Sequence, residues 1–540
     1  MTQDTALEMK DVELNEFDQE KVPMAAGVED ALVGSGGEKN GVVKVKLEDD
    51  DAVGDTRAQK FTGLSKEELL RVAGTPGWVK VRWVLLILFW LGWAGMLAGA
   101  VVIIVQAPRC QPLPVLEWWH KGPLYQLGNP ETFQDSNGDG IGDIKGIQQR
   151  LESLSSLKVK GLVIGPLHVN QPDDNTQTYL TEIDQRYGNF QDFLDLLEAA
   201  RKKSIKLIID LSPNYRGNNI WFENTLTSEK AFQDKIKDAM EFWLKQCIGG
   251  IYFGGIENLD NLSELFEEWK NITANSSSEC ENRALLVSTN EHLDDNVLTL
   301  LNTTGSGLLS SRYLLSKENA SKESLGERIN QYINTDAEQW NSWAVGGPQV
   351  GHMASLVKEK LLRAYQLLLF TLPGTPVMFY GDEIGLKDQP EALQSPYMRW
   401  DDTENGGFST DVKRGDFDNR TISFKAQEED KKSLLSTYKS LSELRGKERS
   451  LLHGDFVSLV VNTQSLAYLR KWDQNERFIS ALNFDLSEKV TMTLKGHDLP
   501  EQGSVVLSSD PERKEGSTIS LTNLMLGPGE ALLIKYPYNS

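Results

Sequence analysis

Apolar and polar positions divide the chain into regions of different character. Residues 1 to about 60 mix Asp, Glu, Gly, Ala and Lys with few aromatics and no sustained periodicity. Such a stretch buries too little apolar surface to offset chain entropy, so a disordered tail is predicted. FTGLSKEELLRVAGTPGWVK differs: Leu64, Leu69, Leu70 and Val72 are interspersed with charges, and Ser65 ahead of Glu67 and Glu68 reads as a helix start. Gly74-Thr75-Pro76-Gly77 then breaks the pattern, which predicts a short amphipathic helix at a membrane surface or against a partner. From Trp83 to Val105 the chain reads WVLLILFWLGWAGMLAGAVVIIV, without a charge. About 20 apolar residues at 1.5 Å rise cross a ~30 Å hydrocarbon core, so a transmembrane helix is predicted. Gly95 and Gly99 form a GxxxG spacing, with Gly92 nearby, on which a second helix could pack closely.

Beyond the span, short apolar runs alternate with amphipathic helices. GLVIGPLH (161–168), IKLIIDLSPN (205–214), GIYFG, ALLVS and TPVMFYGDEIG read as strands. FQDFLDLLEAARKKS (190–204), EKAFQDKIKDAMEFWLKQ and SLVKEKLLRAYQLLLF read as helices. Strands without strict alternation, separated by helices, predict a parallel sheet covered on both faces, and the number of units fits an α/β fold of the (β/α)8 TIM-barrel type. After a helix at KKSLLSTYKSLSELRGKERS come FVSLVV, LAYLRKW, RFISALNF, KVTMTL and EALLIKYP, which predict a C-terminal antiparallel β-sandwich. The expected division is a cytoplasmic tail (1–82), a transmembrane helix (83–105), a neck (106–122), the barrel (123–430) and the β domain (431–540).

Charge and cysteine usage orient this picture. A formal net charge of −22 argues against nucleic acid as a partner. MTQDTALEMKDVELNEFDQEK has no apolar stretch, so the span is expected to serve as a signal-anchor. Lys66, Arg71, Lys80 and Arg82 precede it, whereas Arg109 and Lys121 follow, which predicts a single-pass type II protein in the lipid bilayer, N-terminus cytoplasmic. Cys110, Cys247 and Cys280 all follow the span. An odd number leaves one unpaired within the chain, and Cys110, in a proline-flanked neck expected not to join a core, is placed to bond another membrane protein or to remain a free or palmitoylated thiol. N-glycosylation sequons stand at Asn261, Asn271, Asn275, Asn302, Asn319 and Asn419.

LYQLGNPETFQDSNGDGIGDIKGIQQRLESLSSLKVKGLVIGPLH, IDLSPN, LPGTPVMFYGDEIGL and MRWDDTENGGFS (398–409) resemble the α-amylase family of glycoside hydrolases. That resemblance implies a catalytic-type barrel, which in retaining enzymes places a carboxylate nucleophile opposite a carboxylic acid. It also implies that the chemistry is gone here. Gly254 stands where the nucleophile belongs, Thr289 where the general acid belongs and Gln349 where the third acid belongs, with Tyr252 replacing an Arg and Tyr215 a His. Asp210 and Asn214 remain, while Asn175-Thr176 replaces a sugar-binding Tyr-Asp pair. Glu257 and Glu291 lie a few residues past the lost positions, a displacement of several ångströms at ~3.3 Å per residue. The alternative they define is a membrane-anchored α-glucosidase with relocated acids. Asp135, Asn137, Asp139, Ile141 and Asp143 alternate with glycines, a spacing that suits structural calcium or, equally, a turn held by its own hydrogen bonds.

With its span and neck cysteine, the chain resembles the heavy subunits of heteromeric amino-acid transporters, on FTGLSKEELLRVAGTPGWVKVRW, LSSLKVKGLV, GKERSLLHGDF and KWDQNERF. The resemblance implies a catalytically inactive plasma-membrane glycoprotein with no required cofactor. Cys110 would join it by a disulfide to a multi-spanning light chain, and integrin β subunits are a further implied partner.

Overall fold

The computed structural model describes residues 65–106, 110–222, 224–227, 229–274, 280, 282–291, 294–305, 308–315, 324–335, 340–389, 396–410, 422–496 and 499–538. The chain divides into two units, residues 1–107 and 108–540.

In the first unit, helix α1 (Lys66–Ala73) begins where the sequence places it. The Ser65 hydroxyl accepts the Glu68 N–H, and the Glu68 carboxylate accepts the Ser65 N–H at 3.2 Å. This reciprocal cap satisfies two otherwise orphaned donors. Gly74 closes the helix by donating its N–H to Leu70 O at 3.1 Å. Helix α2 (Pro76–Gln106, 31 residues) starts immediately afterwards, on a proline that lacks only a donor the first turn could not use. It therefore takes in Lys80 and Arg82 ahead of the predicted apolar span. Among the described residues it is the one helix long and apolar enough to cross a membrane.

In the second unit, strands β1 (Leu124–Gly128), β2 (Gly161–Ile164), β3 (Lys206–Asp210), β4 (Gly250–Phe253), β5 (Ala284–Ser288), β6 (Leu309–Ser310), β7 (Ser342–Trp343) and β8 (Thr375–Phe379) form a parallel sheet. They pair in the order β6-β5-β4-β3-β2-β1-β8-β7, and the Ser342 hydroxyl donates to Leu309 O at 3.0 Å across the remaining seam. This is the expected TIM barrel, nearly closed. Leu124, Val163, Ile208, Tyr252, Leu286 and Val377 fill its interior. Outside, the helix Phe190–Lys202 buries Phe193, Leu196, Leu197 and Ala200, the spacing of one helical face.

Two sequence expectations are corrected. The neck does join a core: Trp118 and Trp119 pack against the interior cluster. The Trp118 indole donates to Asn282 O at 2.9 Å, and Trp119 O accepts the Thr375 hydroxyl at 2.7 Å. Aromatic surface in a proline-rich linker found cover at the open base of the barrel. The long helix expected at SLVKEKLLRAYQLLLF is also broken. Met353–Leu356 ends at Val357, which is extended (φ −123°, ψ 157°), and the main helix spans only Leu362–Thr371. Asp388 accepts the His352 N–H at 3.0 Å and donates its own N–H to the Ser355 hydroxyl at 2.7 Å, so tertiary bonds override helix propensity there.

The C-terminal region is antiparallel. Strands β9 (Asp455–Val461), β10 (Ser465–Lys471), β11 (Arg477–Asn483), β13 (Gln502–Ser508), β14 (Thr518–Ser520) and β16 (Ala531–Tyr536) form one sheet, and β12 (Val490–Met492) pairs with β15 (Leu524–Leu526). Arg445 and Arg470 are fully buried and, among the described residues, without a carboxylate ion pair, donating instead to the carbonyls of Phe370, Leu372 and Thr371 at the end of the helix Leu362–Thr371. Cys247 and Cys280 form a disulfide.

Candidate functional site: the mouth of the barrel

Residues that follow the C-terminal ends of the strands form the catalytic face of a TIM barrel. Here the structure brings Gly254 and Gln349 into proximity. A Cβ placed on Gly254 would lie 3.0 Å from Gln349 Nε2, and 3.2 Å from both Ile220 Cδ1 and Ser212 Oγ. The space a nucleophile's side chain would need is already occupied. Gly254 is pinned on both sides, donating its N–H to the Ser212 hydroxyl at 2.8 Å and accepting the Trp221 indole N–H at 2.8 Å.

Thr289 and Gln349, the other positions that the resemblance assigns to acids, are likewise held by hydrogen bonds. Asn290 donates its side-chain amide to Gln349 Oε1 at 2.7 Å, and the Thr289 hydroxyl accepts the Glu291 N–H at 3.1 Å. Glu257 Oε1 accepts the Asn290 N–H at 3.2 Å, and Glu291 accepts the Asn296 side-chain amide at 2.9 Å. The cavity left among Gln126, Tyr252, Thr289, Asn290 and Gln349 measures ≈ 20 Å³. That suffices for one or two waters at about 10–15 Å³ each, against roughly 300–1,000 Å³ for a small-molecule site.

Retained polar residues serve packing. Asp210 is buried and accepts the Ser212 N–H at 2.8 Å; burial pushes its carboxyl up to about 7 despite that bond. Tyr252, its neighbour on β4, is buried with its hydroxyl 2.6 Å from Ser288 Oγ, and burial followed by the Asp210 charge raises its phenol. Asn214 bonds the Asp173 side chain at 2.9 Å, and the Tyr215 hydroxyl donates to His168 O at 3.2 Å. Both tie the hairpin His168–Gln171/Asp174–Ile183 to the loop after β3. Asn175 is held in that hairpin by Lys235 Nζ at 2.9 Å. Sequence reasoning missed a buried acid pair after β8: Asp382 accepts the Met353 N–H at 2.7 Å, and Glu383, pushed up to about 7 by burial, accepts the Tyr125 hydroxyl at 2.9 Å. The only signal was GDE directly after an apolar run.

The Asp135–Asp143 loop takes the self-bonded form. Asp135 accepts the N–H groups of Asn137, Gly138 and Gly140, at 3.0, 2.8 and 2.7 Å. Asp139 accepts those of Ile141 at 2.8 Å and the Asn137 amide at 3.1 Å. Asp143 accepts the Gly146 N–H at 2.7 Å and the Ser136 hydroxyl at 2.8 Å. Each carboxylate oxygen thus already holds a donor, and among the described residues no group of three His, Cys, Asp or Glu side chains is arranged to hold a metal.

The description "Solute carrier family 3 member 2 N-terminus" matches residues 44–125, and "Alpha amylase, catalytic domain" matches residues 129–238 and 315–454. The amino acid transporter heavy chain SLC3A2 of Oryctolagus cuniculus is 47% identical, with 100% of both chains covered. The chain belongs to the amino acid transporter heavy chain family. Its likeness to the SLC3A2, or 4F2, branch exceeds that to the human heavy chain SLC3A1, which is 26% identical over 88% of this chain and 86% of the relative. The trehalulose synthase of Pseudomonas mesoacidophila superposes with a TM-score of 0.61 at 18% identity, over 78% of this chain and 100% of that one, which is a likeness of fold alone.

Other features singled out in this heavy chain are open to contact. Cys110 is exposed and unpaired, and a Cβ on Gly92, Gly95 or Gly99 would meet nothing within 4 Å. Asn261, Asn271 and Asn302 are exposed, while Asn275, Asn319 and Asn419 lie outside the described residues.

Proposed function

We propose that this heavy chain is a non-catalytic subunit that binds a multi-spanning amino-acid transporter light chain through α2 and a Cys110 disulfide, delivering it to the plasma membrane and stabilising it there. The observation that carries the non-catalytic reading is the ≈ 20 Å³ cavity among Gln126, Tyr252, Thr289, Asn290 and Gln349, with Gly254, Thr289 and Gln349 at the positions the family resemblance assigns to the three acids. A single span cannot build an alternating-access pathway, so transport belongs to the partner. Full-length SLC3A2 relatives support the subunit role. Type II orientation, glycosylation at the exposed sequons and association with integrin β subunits complete the proposal, and no metal is required by it.

The rival reading is a membrane-anchored α-glucosidase that uses Glu257 or Glu291. The test is hydrolysis of maltose by the purified full chain. No turnover above buffer is expected; turnover abolished by Glu257→Gln or Glu291→Gln would replace the proposal with the enzyme.

A further inference from the structure

Where the starts of the helices Leu362–Thr371 and Leu434–Lys447 meet the end of β13 and the turn after it, a groove of ≈ 380 Å³ opens, within the range of small-molecule sites. It lies away from the neck. The helix ends at Lys447, beside Leu113 and Leu116, and at 1.5 Å per residue its start is roughly 20 Å from there. Five cations line the groove, Arg363, Lys431, Lys432, Arg513 and Lys514, against the two carboxylates of Asp510 and Glu515. In a chain of net charge −22 this is a local reversal of sign.

The fold has used these cations unequally. Arg513 is committed, pairing with Glu530 through Nε to Oε1 and through Nη2 to Oε2 at 3.0 Å. Among the described residues, the other four have no ion-pair partner. Arg363, partly buried, gives one N–H to Lys432 O, and the rest of its planar fork of donors has no acceptor among those residues. Lys432 Nζ reaches across the groove to Pro511 O at 3.4 Å, a long bond that a charge-assisted contact with an anion would outcompete. Asp510 is turned into its own loop, accepting the Glu512 N–H at 3.0 Å. A partly desolvated guanidinium without a carboxylate is a cost of folding that a docked anion offsets.

The rest of the lining selects the kind of anion. Hydroxyls of Thr437, Ser440 and Ser508 stand among the cations, and that of Ser440 has no partner among the described residues. The apolar share is Leu507 and Pro511, and no aromatic ring lines the groove. An acyl chain or a flat base therefore finds no surface to lie on. A tetrahedral oxyanion carried on a polyol does match: an Arg fork takes two of its oxygens in parallel, lysines take the others as point charges, and serine hydroxyls meet those of the sugar. Outside a cell, sugars so substituted carry sulfate esters. We propose that this groove binds a sulfated sugar of the cell-surface glycan coat, with Arg363, Lys432 and Lys514 around the sulfate and Ser440 against the ring hydroxyls. The choice of sulfate over phosphate rests on the type II orientation proposed above; the binding test does not.

That test titrates the detergent-purified full chain with a trisulfated heparin disaccharide and follows binding by calorimetry. The desulfated disaccharide, inorganic sulfate, glucose 6-phosphate and a poly-glutamate peptide are the comparison arms. Saturable binding of one disaccharide is expected, weakened about tenfold or more in Lys432→Glu/Lys514→Glu and several-fold in Arg363→Lys, with unchanged thermal unfolding. Lys121→Glu/Lys447→Glu, which changes net charge equally but at the neck end, is expected to bind as wild type does. Each comparison ligand is expected to bind at least about tenfold more weakly than the disaccharide. Equal loss in both double variants would reduce the binding to overall charge and overturn the proposal. So would glucose 6-phosphate or inorganic sulfate binding as tightly as the disaccharide, or its displacement by poly-glutamate, the last in favour of an acidic protein segment. Protease treatment of intact cells tests the orientation separately. A cleaved ectodomain that binds no disaccharide refutes the groove alone, and a protected one that binds it refutes the orientation alone.

Discussion

Gly254 concentrates the case against hydrolysis. A side chain there meets Gln349, Ile220 and Ser212 within 3.0–3.2 Å, tighter than nearly all real Cβ contacts. Gly254→Asp is therefore expected to lower unfolding free energy by about 1–3 kcal/mol, the usual cost of overpacking, as measured by urea denaturation. A second residue-scale prediction concerns pH. Asp210 has its folded pKa raised from 3.8 to about 7 by burial, so the folded state holds a proton that the unfolded chain releases earlier. Its contribution to stability is complete below pH 3.8 and is lost as pH rises through about 7. Asp210→Asn, which stays neutral, should unfold at a higher temperature relative to wild type at pH 8 than at pH 5. An equal difference at both pH values would show that Asp210 titrates normally.

Elements show why some of the molecule is legible in sequence and some is not. The continuous apolar run of β3 and the one-faced apolar period of Phe190–Lys202 fall where the pattern puts them because burial follows each pattern directly. So does the break before α2, where Gly74 and Pro76 act locally. The neck's packing through Trp118 and Trp119 is not legible locally, because their partners, Asn282 and Thr375, are more than 150 residues away. The break at Val357 depends in the same way on Asp388. The Asp135–Asp143 loop was undecidable from spacing, since oxygens on alternate residues serve a cation or backbone amides equally well. Its observed bonds predict that EDTA leaves the thermal midpoint unchanged and that millimolar calcium does not raise it. A calcium-dependent rise of several degrees would show that a metal reorganises the loop.

For the whole molecule, the lost acids were readable as residues, but the loss of the cavity was not. A glycine and a glutamine in place of acids are compatible with an empty cleft that still binds sugar. The bonds that join Asn290 to Gln349 and Glu257, and Glu291 to Thr289, narrow it. A barrel with a sealed mouth, an exposed Cys110 and a helix with an open glycine face directs function toward a membrane partner. The most direct measurement is affinity purification of the full chain from membranes under thiol-blocking conditions. Wild type and Cys110→Ser would be compared on non-reducing gels, with mass spectrometry of the larger species. The account predicts a higher-mass species in wild type that contains a multi-spanning amino-acid transporter, collapses on reduction and is absent in Cys110→Ser. A wild-type chain that runs only at its own mass, with no transporter in the eluate, would contradict it.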